Sequence, residues 1–328
     1  MPSSILITSR VQNKKRRETH FFADIAHSCS KEIQGLGFEA DVFLIPGGVG
    51  VKFQSDRNFL NLNDISYLPI KELDLSRVNS FDPAKINDFK LEALSLPHGC
   101  SIPFREFKCF QLKRFSATNS KARDFESLAI LALEELNLPG AEMEQLTFTH
   151  SMPLVKLDIS NNRVLDIRPL SDKPLEILNL QGTQVDNLSP ISSCPISVLN
   201  LNQTKIENIE PLRGLPLTQV ELRKTLIEDL SPLMESPLEK LSLPGSPIRS
   251  LVPLTFCPLT FLNIIGLTLD DLSPLSEMQL ETLCISPLNL EQEHFSLLKE
   301  LNLKHLLGPG DSPNQTVAQF FQKYSPES

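Results

Sequence analysis

Between Ile70 and Leu280 the chain matches itself at a step of 21 residues. PLEKLSLPGSPIRSLVPL (237–254) aligns with PLTQVELRKTLIEDLSPL (216–233) and with PISVLNLNQTKIENIEPL (195–212). The shared frame is LxxLxLxxTxIxxLSPLxxxP. Its first leucine falls at Ile70, Leu91, Leu112, Leu133, Leu154, Leu175, Ile196, Leu217, Leu238, Leu259 and Leu280, eleven starts without a slip. A shorter step leads to Leu298, and an imperfect repeat begins near Val49, with Leu62, Ile65 and Pro69 in phase. Such a period defines a stack of small units, none able to bury its apolar face alone.

The prolines, 25 in all, largely follow the same period. One set is Pro169, Pro190, Pro211, Pro232, Pro253 and Pro274; the other is Pro153, Pro174, Pro195, Pro216, Pro237 and Pro258. Proline cannot donate to a strand ladder, so both sets mark corners between strands. Ser or Glu before the first set suits a short helical or 3₁₀ turn. In LEKLSL, Leu241 and Leu243 alternate inward while Lys240 and Ser242 face out. Twenty-one residues leave little room for a long α-helix. The expectation is one short parallel strand and one 3₁₀ or extended back turn per coil.

These repeats resemble leucine-rich repeats, and the LSPL back turn is most similar to bacterial arrays of the internalin type. The resemblance covers roughly residues 49–306. It implies an α/β solenoid, a right-handed superhelix with one parallel sheet on the concave face, 3₁₀ or extended turns on the convex face, and a cap at each end. It also implies a partner, most often a protein, on the concave sheet. The family places Asn at the ninth repeat position. Here only Asn162 matches; Thr183, Thr204, Thr225 and Ser246 substitute, and Val78, Leu267 and Leu288 are apolar, so bonding between coils should weaken towards the ends.

Three segments follow: an N-terminal cap (1–48), the array (49–306) and a C-terminal capping helix (307–328). In the first, Phe22, Ile25, Cys29 and Ile33 share a helical face closed by Gly35 or Gly37, and DVFLI-PGG-VGVKF reads as a hairpin. In the last, Ser312 is the expected N-cap, Pro313 the first helical residue, and Val317, Phe320, Phe321 and Tyr324 an apolar stripe.

Chemistry is hard to find in this chain. No GxSxG, HExxH or Walker A sequence occurs, and GGVGVKF (47–53) fits a hairpin turn better than a phosphate loop. His98, Cys100 and Cys109 lack zinc-type spacing. His20 and His27 fit surface or cap packing. The six cysteines read as free, mostly buried thiols, with Cys100–Cys109 the one pair not excluded from bridging. A net charge of −9 disfavours phosphate-backbone binding, and KKRR at 14–17 reads as a solvated surface. Ile5-Leu6-Ile7 is too short for a signal core and no stretch suits a membrane span. The expectation is a cytoplasmic, non-enzymatic, monomeric scaffold without cofactor or metal.

The repeat frame also names the outward strand residues of the central rungs. They are Lys156, Asp158, Ile177, Asn179, Val198, Asn200, Asn202, Gln219, Glu221, Arg223, Lys240, Ser242, Phe261 and Asn263. The middle row, Asp158-Asn179-Asn200-Glu221-Ser242-Asn263, suits hydrogen bonding from strand to strand. Glu221, Arg223, Lys240 and Phe261 are the better partner contacts. Two further roles fit the same pattern: a docking module acting in trans with a bacterial Ser/Thr kinase, and a self-associating structural unit.

Overall fold

A computed structural model describes residues 24–54 and 59–325. The chain divides into two compact units, Met1–Ala141 and Glu142–Ser328.

In the first unit, helix α1 (residues 24–35) ends in a Schellman motif. The N–H of Gly37 donates to Gln34 O and that of Phe38 to Ile33 O, with Gly37 at φ 81°. Cys29 and Ile33 are buried as the apolar stripe requires; Phe22 and His20 lie outside the described residues, as does KKRR. Strands β1 (Ala40–Ile45) and β2 (Gly48–Phe53) form the expected antiparallel hairpin. Pro46 and Gly47 occupy its two-residue turn, where Gly47 takes φ 78°. β2 then pairs in parallel with β3 (Ile70–Asp74), with a register shift at Val49/Gly50 that marks the imperfect first repeat. Strands β4 (Ala93–Ser95), β5 (Arg114–Ser116) and β6 (Glu135–Asn137) follow, each in parallel with its predecessor and offset by one repeat.

The second unit carries β7 (Lys156–Asp158), β8 (Ile177–Asn179), β9 (Val198–Asn200), β10 (Gln219–Glu221), β11 (Lys240–Ser242), β12 (Phe261–Asn263), β13 (Thr282–Cys284) and β14 (His305–Leu307). Every successive pair is parallel. The coil that begins at Leu238 shows how its core is built. Leu238, Leu241, Leu243, Ile248, Leu251 and Leu254 are each at most 1% exposed. They pack on the equivalent residues of adjoining coils, which is where a repeat of this size finds its stability.

The back of each coil is a 3₁₀ turn, and from Arg168 to Glu277 a proline sits second in it, as in Arg168–Leu170, Ser189–Ile191, Glu210–Leu212 and Ser231–Leu233. The cap comes from the residue two places before the turn. Asp166, Asn187, Asn208, Asp229 and Asp271 each accept the N–H of the first turn residue at 2.7–2.9 Å. A short polar side chain therefore closes the turn and the proline fixes its φ.

Two expectations about the C-terminal end fail. The last step is longer, not shorter: β14 begins two residues after Leu303, and Leu306 pairs with Leu283. Leu298 lies instead on helix α2 (Gln292–Glu300), where it and Phe295 are buried. LKELNL imitates the frame, but its first leucine belongs to a helical face. Helix α3 (Val317–Tyr324) is capped by Thr316, not Ser312, through a capping box in which Thr316 and Gln319 each take the other's N–H. Pro313 belongs to the preceding turn, closed by the Gln315 N–H donating to Ser312 O at 2.9 Å. Phe320 of the expected stripe is buried, and the Asp311 carboxylate collects bonds from the Gly308 N–H, Gln315, Lys323 and Tyr324.

Candidate functional site

On each strand of the second unit the middle residue is buried, while those before and after it lie on the open face of the sheet. The register aligns these outward residues in two rows. The first runs Lys156, Ile177, Val198, Gln219, Lys240, Phe261, Thr282 and His305; the second runs Asp158, Asn179, Asn200, Glu221, Ser242, Asn263 and Cys284.

The second row is mostly committed to the fold. Asp158, Asn179, Asn200 and Asn263 each accept, through Oδ1, the N–H two residues on, at 2.9–3.1 Å. That Asx turn takes the chain out of the strand towards a residue of left-handed conformation, such as Asn161 (φ 57°) or Gln203 (φ 58°). Between strands, Asn179 Nδ2 donates to Asp158 Oδ2 at 3.0 Å. Asn202 lies beyond its strand, in the turn, and its Oδ1 accepts the N–H of Arg223 at 2.6 Å. Ser242 is only 7% exposed. The small amides and acids thus serve mainly to close the turns that leave their own strands; the strand-to-strand bonding expected from the sequence is seen along this row at Asn179–Asp158.

The remaining sequence-derived candidates differ in kind. Lys156, Arg223 and Lys240 are exposed, and Glu221 and Phe261 are half-buried on the sheet face. The side chains of Glu221, Arg223, Lys240 and Phe261 make no hydrogen bond, ion pair or ring contact with the described residues. β10, β11 and β12 carry Glu221, Lys240 and Phe261 on adjoining rungs, whereas Arg223, expected on the strand, lies in the turn beyond β10; Ile177 and Val198 supply an apolar stretch between Lys156 and Lys240.

At the ninth position Asn162 is buried and bridges two coils: its Oδ1 accepts the Met143 N–H at 2.9 Å and its Nδ2 donates to Ile159 O at 2.9 Å. Thr183 and Thr204 instead donate to a carbonyl three residues back in their own coil, at 2.6 Å.

All six cysteines are free and buried, including Cys100 and Cys109. Burial pushes the thiols of Cys109 and Cys284 up to about 11. Cys194 and Cys257 donate S–H to the carbonyls of Leu170 and Leu233 in the coil before, at 3.4 and 3.5 Å. Buried, raised in pKa and bonded to carbonyls, they sit as packing residues do. His98 is exposed against Asn119, and among the described residues no three His, Cys, Asp or Glu side chains converge on a metal-sized point. No helix among them is long and apolar enough to cross a membrane.

No protein-family model matches the chain, and no curated protein matches it. Solved structures do. An internalin (inlF) from Listeria monocytogenes superposes with a TM-score of 0.65 at 22% identity, over 82% of each chain. The leucine-rich repeat protein LIC12759 of Leptospira interrogans gives 0.52 at 18% identity, over 82% of this chain and 74% of that one. A TLR13–ssRNA13 complex gives 0.53 at 19%, over 74% of this chain and 40% of that one. The chain has the leucine-rich-repeat fold, in its internalin-like form.

Proposed function

We propose that this chain is a non-enzymatic scaffold that holds a protein partner on the strand face of its second unit. One observation carries the reading: beside a column of amides spent on the fold, Glu221, Lys240 and Phe261 stand on adjoining rungs and Arg223 in the turn after β10, none with a side-chain partner among the described residues. Charged and aromatic groups displayed on a rigid sheet are recognition elements, not packing elements. Lys156 and the apolar Ile177 and Val198 extend the same surface, and the turns closed by Asn179, Asn200, Asn202 and Asn263 hold its rungs in place.

A protein partner fits better than nucleic acid. One structural neighbour is a complex with ssRNA13, but this chain has a net charge of −9 and a strand face on which a row bearing lysines runs beside a row bearing acids. Absence of Trp and the presence of only two Tyr point to modest affinity. Six free, buried thiols favour a reducing compartment, and we place the protein in the cytoplasm as a monomer. Docking to a kinase supplied in trans is the second reading within the same class.

The test is quantitative capture from native lysate by wild type, Arg223→Glu and Phe261→Asp, with unchanged melting temperatures as the control. A partner enriched by wild type and lost in both variants supports the assignment. Identical capture by all three overturns it.

A further inference from the structure

Strand β1 is the outermost strand of the first unit: β2 pairs with it on one side, and its other side meets no strand among the described residues. The parity of the hairpin says which groups that leaves. The N–H of Gln54 donates to Glu39 O at 2.9 Å. Bonded and non-bonded pairs alternate along an antiparallel ladder, so Asp41, Phe43 and Ile45 also bond to β2. The N–H and C=O of Ala40, Val42 and Leu44 therefore point away from β2, and none has a partner among the described residues.

The last strand of the second unit is finished differently. There Gln315 Nε2 reaches the Leu306 carbonyl at 3.5 Å, His305 Nδ1 lies 3.1 Å from Gln315 O, and helix α3 packs against β14. Exposed edges are otherwise blunted by shortness, a lysine, a proline or a bulge. β1 has none of these. ADVFLI is twice as long as β4, β5 or β6, and its register is unbroken from Ala40↔Phe53 to Ile45↔Gly48. Phe43 and Leu44, on opposite faces of the strand, are 42% and 41% exposed.

Unpaired backbone groups along an apolar edge are recognised by a second extended backbone. The side chains it meets set its character. Ala40, Val42 and Leu44 share one face, which suits apolar residues opposite them. Glu39, Asp41 and Phe43 share the other. Both carboxylates are exposed; Glu39 has no partner, and Asp41 takes one bond, from Gln54. Lys52, across from Asp41, is paired with Asp74 at 3.7 Å, and β1 carries no cation of its own. A second copy of the chain would bring the same carboxylates and a net charge of −9 to this edge. We propose that the free edge of β1 takes an extended segment of a partner polypeptide as an added antiparallel strand, apolar on the face of Val42 and Leu44 and basic on the face of Glu39 and Asp41. The site lies wholly in the first unit and does not depend on the strand face assigned to the second.

The test is NMR titration of the full chain with acetyl-Val-Lys-Val-Lys-Val-amide. Saturable binding is expected, with slowed hydrogen exchange at the amides of Ala40, Val42 and Leu44. N-methylation of the central valine, whose N–H faces β1, should weaken binding about tenfold or more, whereas N-methylation of either lysine, whose N–H faces away, should change it about twofold at most. Val42→Pro removes an outward N–H and no bond to β2, so it should weaken binding with the melting temperature kept. The glutamate counterpart, acetyl-Val-Glu-Val-Glu-Val-amide, should bind more weakly. Four outcomes would overturn the proposal: no saturation by the lysine peptide, equal losses from the two kinds of N-methylation, undiminished binding by Val42→Pro, or equal binding of the glutamate peptide. Protection of the three amides that rises with chain concentration alone would replace the partner by a second copy, and full protection in the dilute free chain would show an edge already occupied; either overturns the assignment.

Discussion

In the second unit one device closes the six back turns from Arg168 to Glu277: an Asp, Asn or Ser two residues ahead of a three-to-five-residue 3₁₀ segment with proline in second place. In the first unit the corresponding segments run from three to six residues and are closed in different ways. Asp82 caps its own turn, but Phe104–Glu106 is capped from the next coil, where Asp124 accepts the N–H groups of Phe104 and Arg105 at 2.9 Å each. Aromatic rings fill the space that this irregularity leaves. Phe104 stacks edge-on to Phe115 at 5.3 Å and lies 5.7 Å from Phe125, and Phe107 lies 6.3 Å from Phe115. Ion pairs join neighbouring strand starts, Lys71 with Glu92 at 2.6 Å and Lys113 with Glu134 at 3.0 Å. In the second unit each of these turns is thus closed within its own coil, whereas in the first unit side chains of one coil close or brace the next.

The comparison can be broken most forcefully at the aromatic cluster. Phe104, 1% exposed, contacts rings on two sides. Phe104→Ala should cost about 3–5 kcal/mol, and hydrogen exchange should rise across residues 81–131 before it rises in the second unit. Uniform acceleration across both units would deny that the first unit has its own packing logic.

A smaller effect separates the two kinds of ninth-position residue. Asn162→Ala removes a bridge between coils and leaves the buried Met143 N–H without its acceptor, which should cost about 1–3 kcal/mol. Thr204→Ala removes a bond inside one coil and should cost about 0.5–1.5 kcal/mol. Chemical denaturation of the two variants ranks them directly; a larger loss for Thr204→Ala would reverse the roles assigned.

The smallest effect concerns the end of the second unit, where a polar hub replaces the repeating caps. Burial pushes the Asp311 carboxyl up, but bonds from Lys323, the Gly308 N–H, Tyr324 and Gln315 outweigh it and hold the group below the usual carboxylate range. A lowered folded value means the hub stabilises fully above the ordinary aspartate pKa of about 3.9 and fades as pH falls through the lower folded value. Limited proteolysis within α3 should therefore accelerate in acid, and Asp311→Asn should remove that acid step.

The coil itself was legible in the sequence because a 21-residue period leaves little else to build. Starts from Ile70 to Leu280 needed no structure; the amide row was readable as structural, although its bonds close turns within coils more than they join strands. The misreadings share a cause. At Leu298 a helical stripe happened to spell the strand frame, and spacing within one segment cannot separate the two when leucines recur three and five residues apart. At Ser312 a good cap preceded a proline, yet Thr316 with Gln319 offered the reciprocal pair and prevailed. The free edge of β1 was missed because DVFLI names a strand without saying which side of it goes unpaired; that required the hairpin register and the strand order.

Two substitutions one rung-pair apart, compared for melting temperature and for partner capture, test most directly the division of labour on the strand face. Asn200→Ala should lower the melting temperature, because the Asn202 N–H loses its acceptor, while capture per folded molecule stays the same. Lys240→Glu should leave melting unchanged and abolish capture. The converse pattern, with Asn200 governing capture and Lys240 governing stability, would contradict the account.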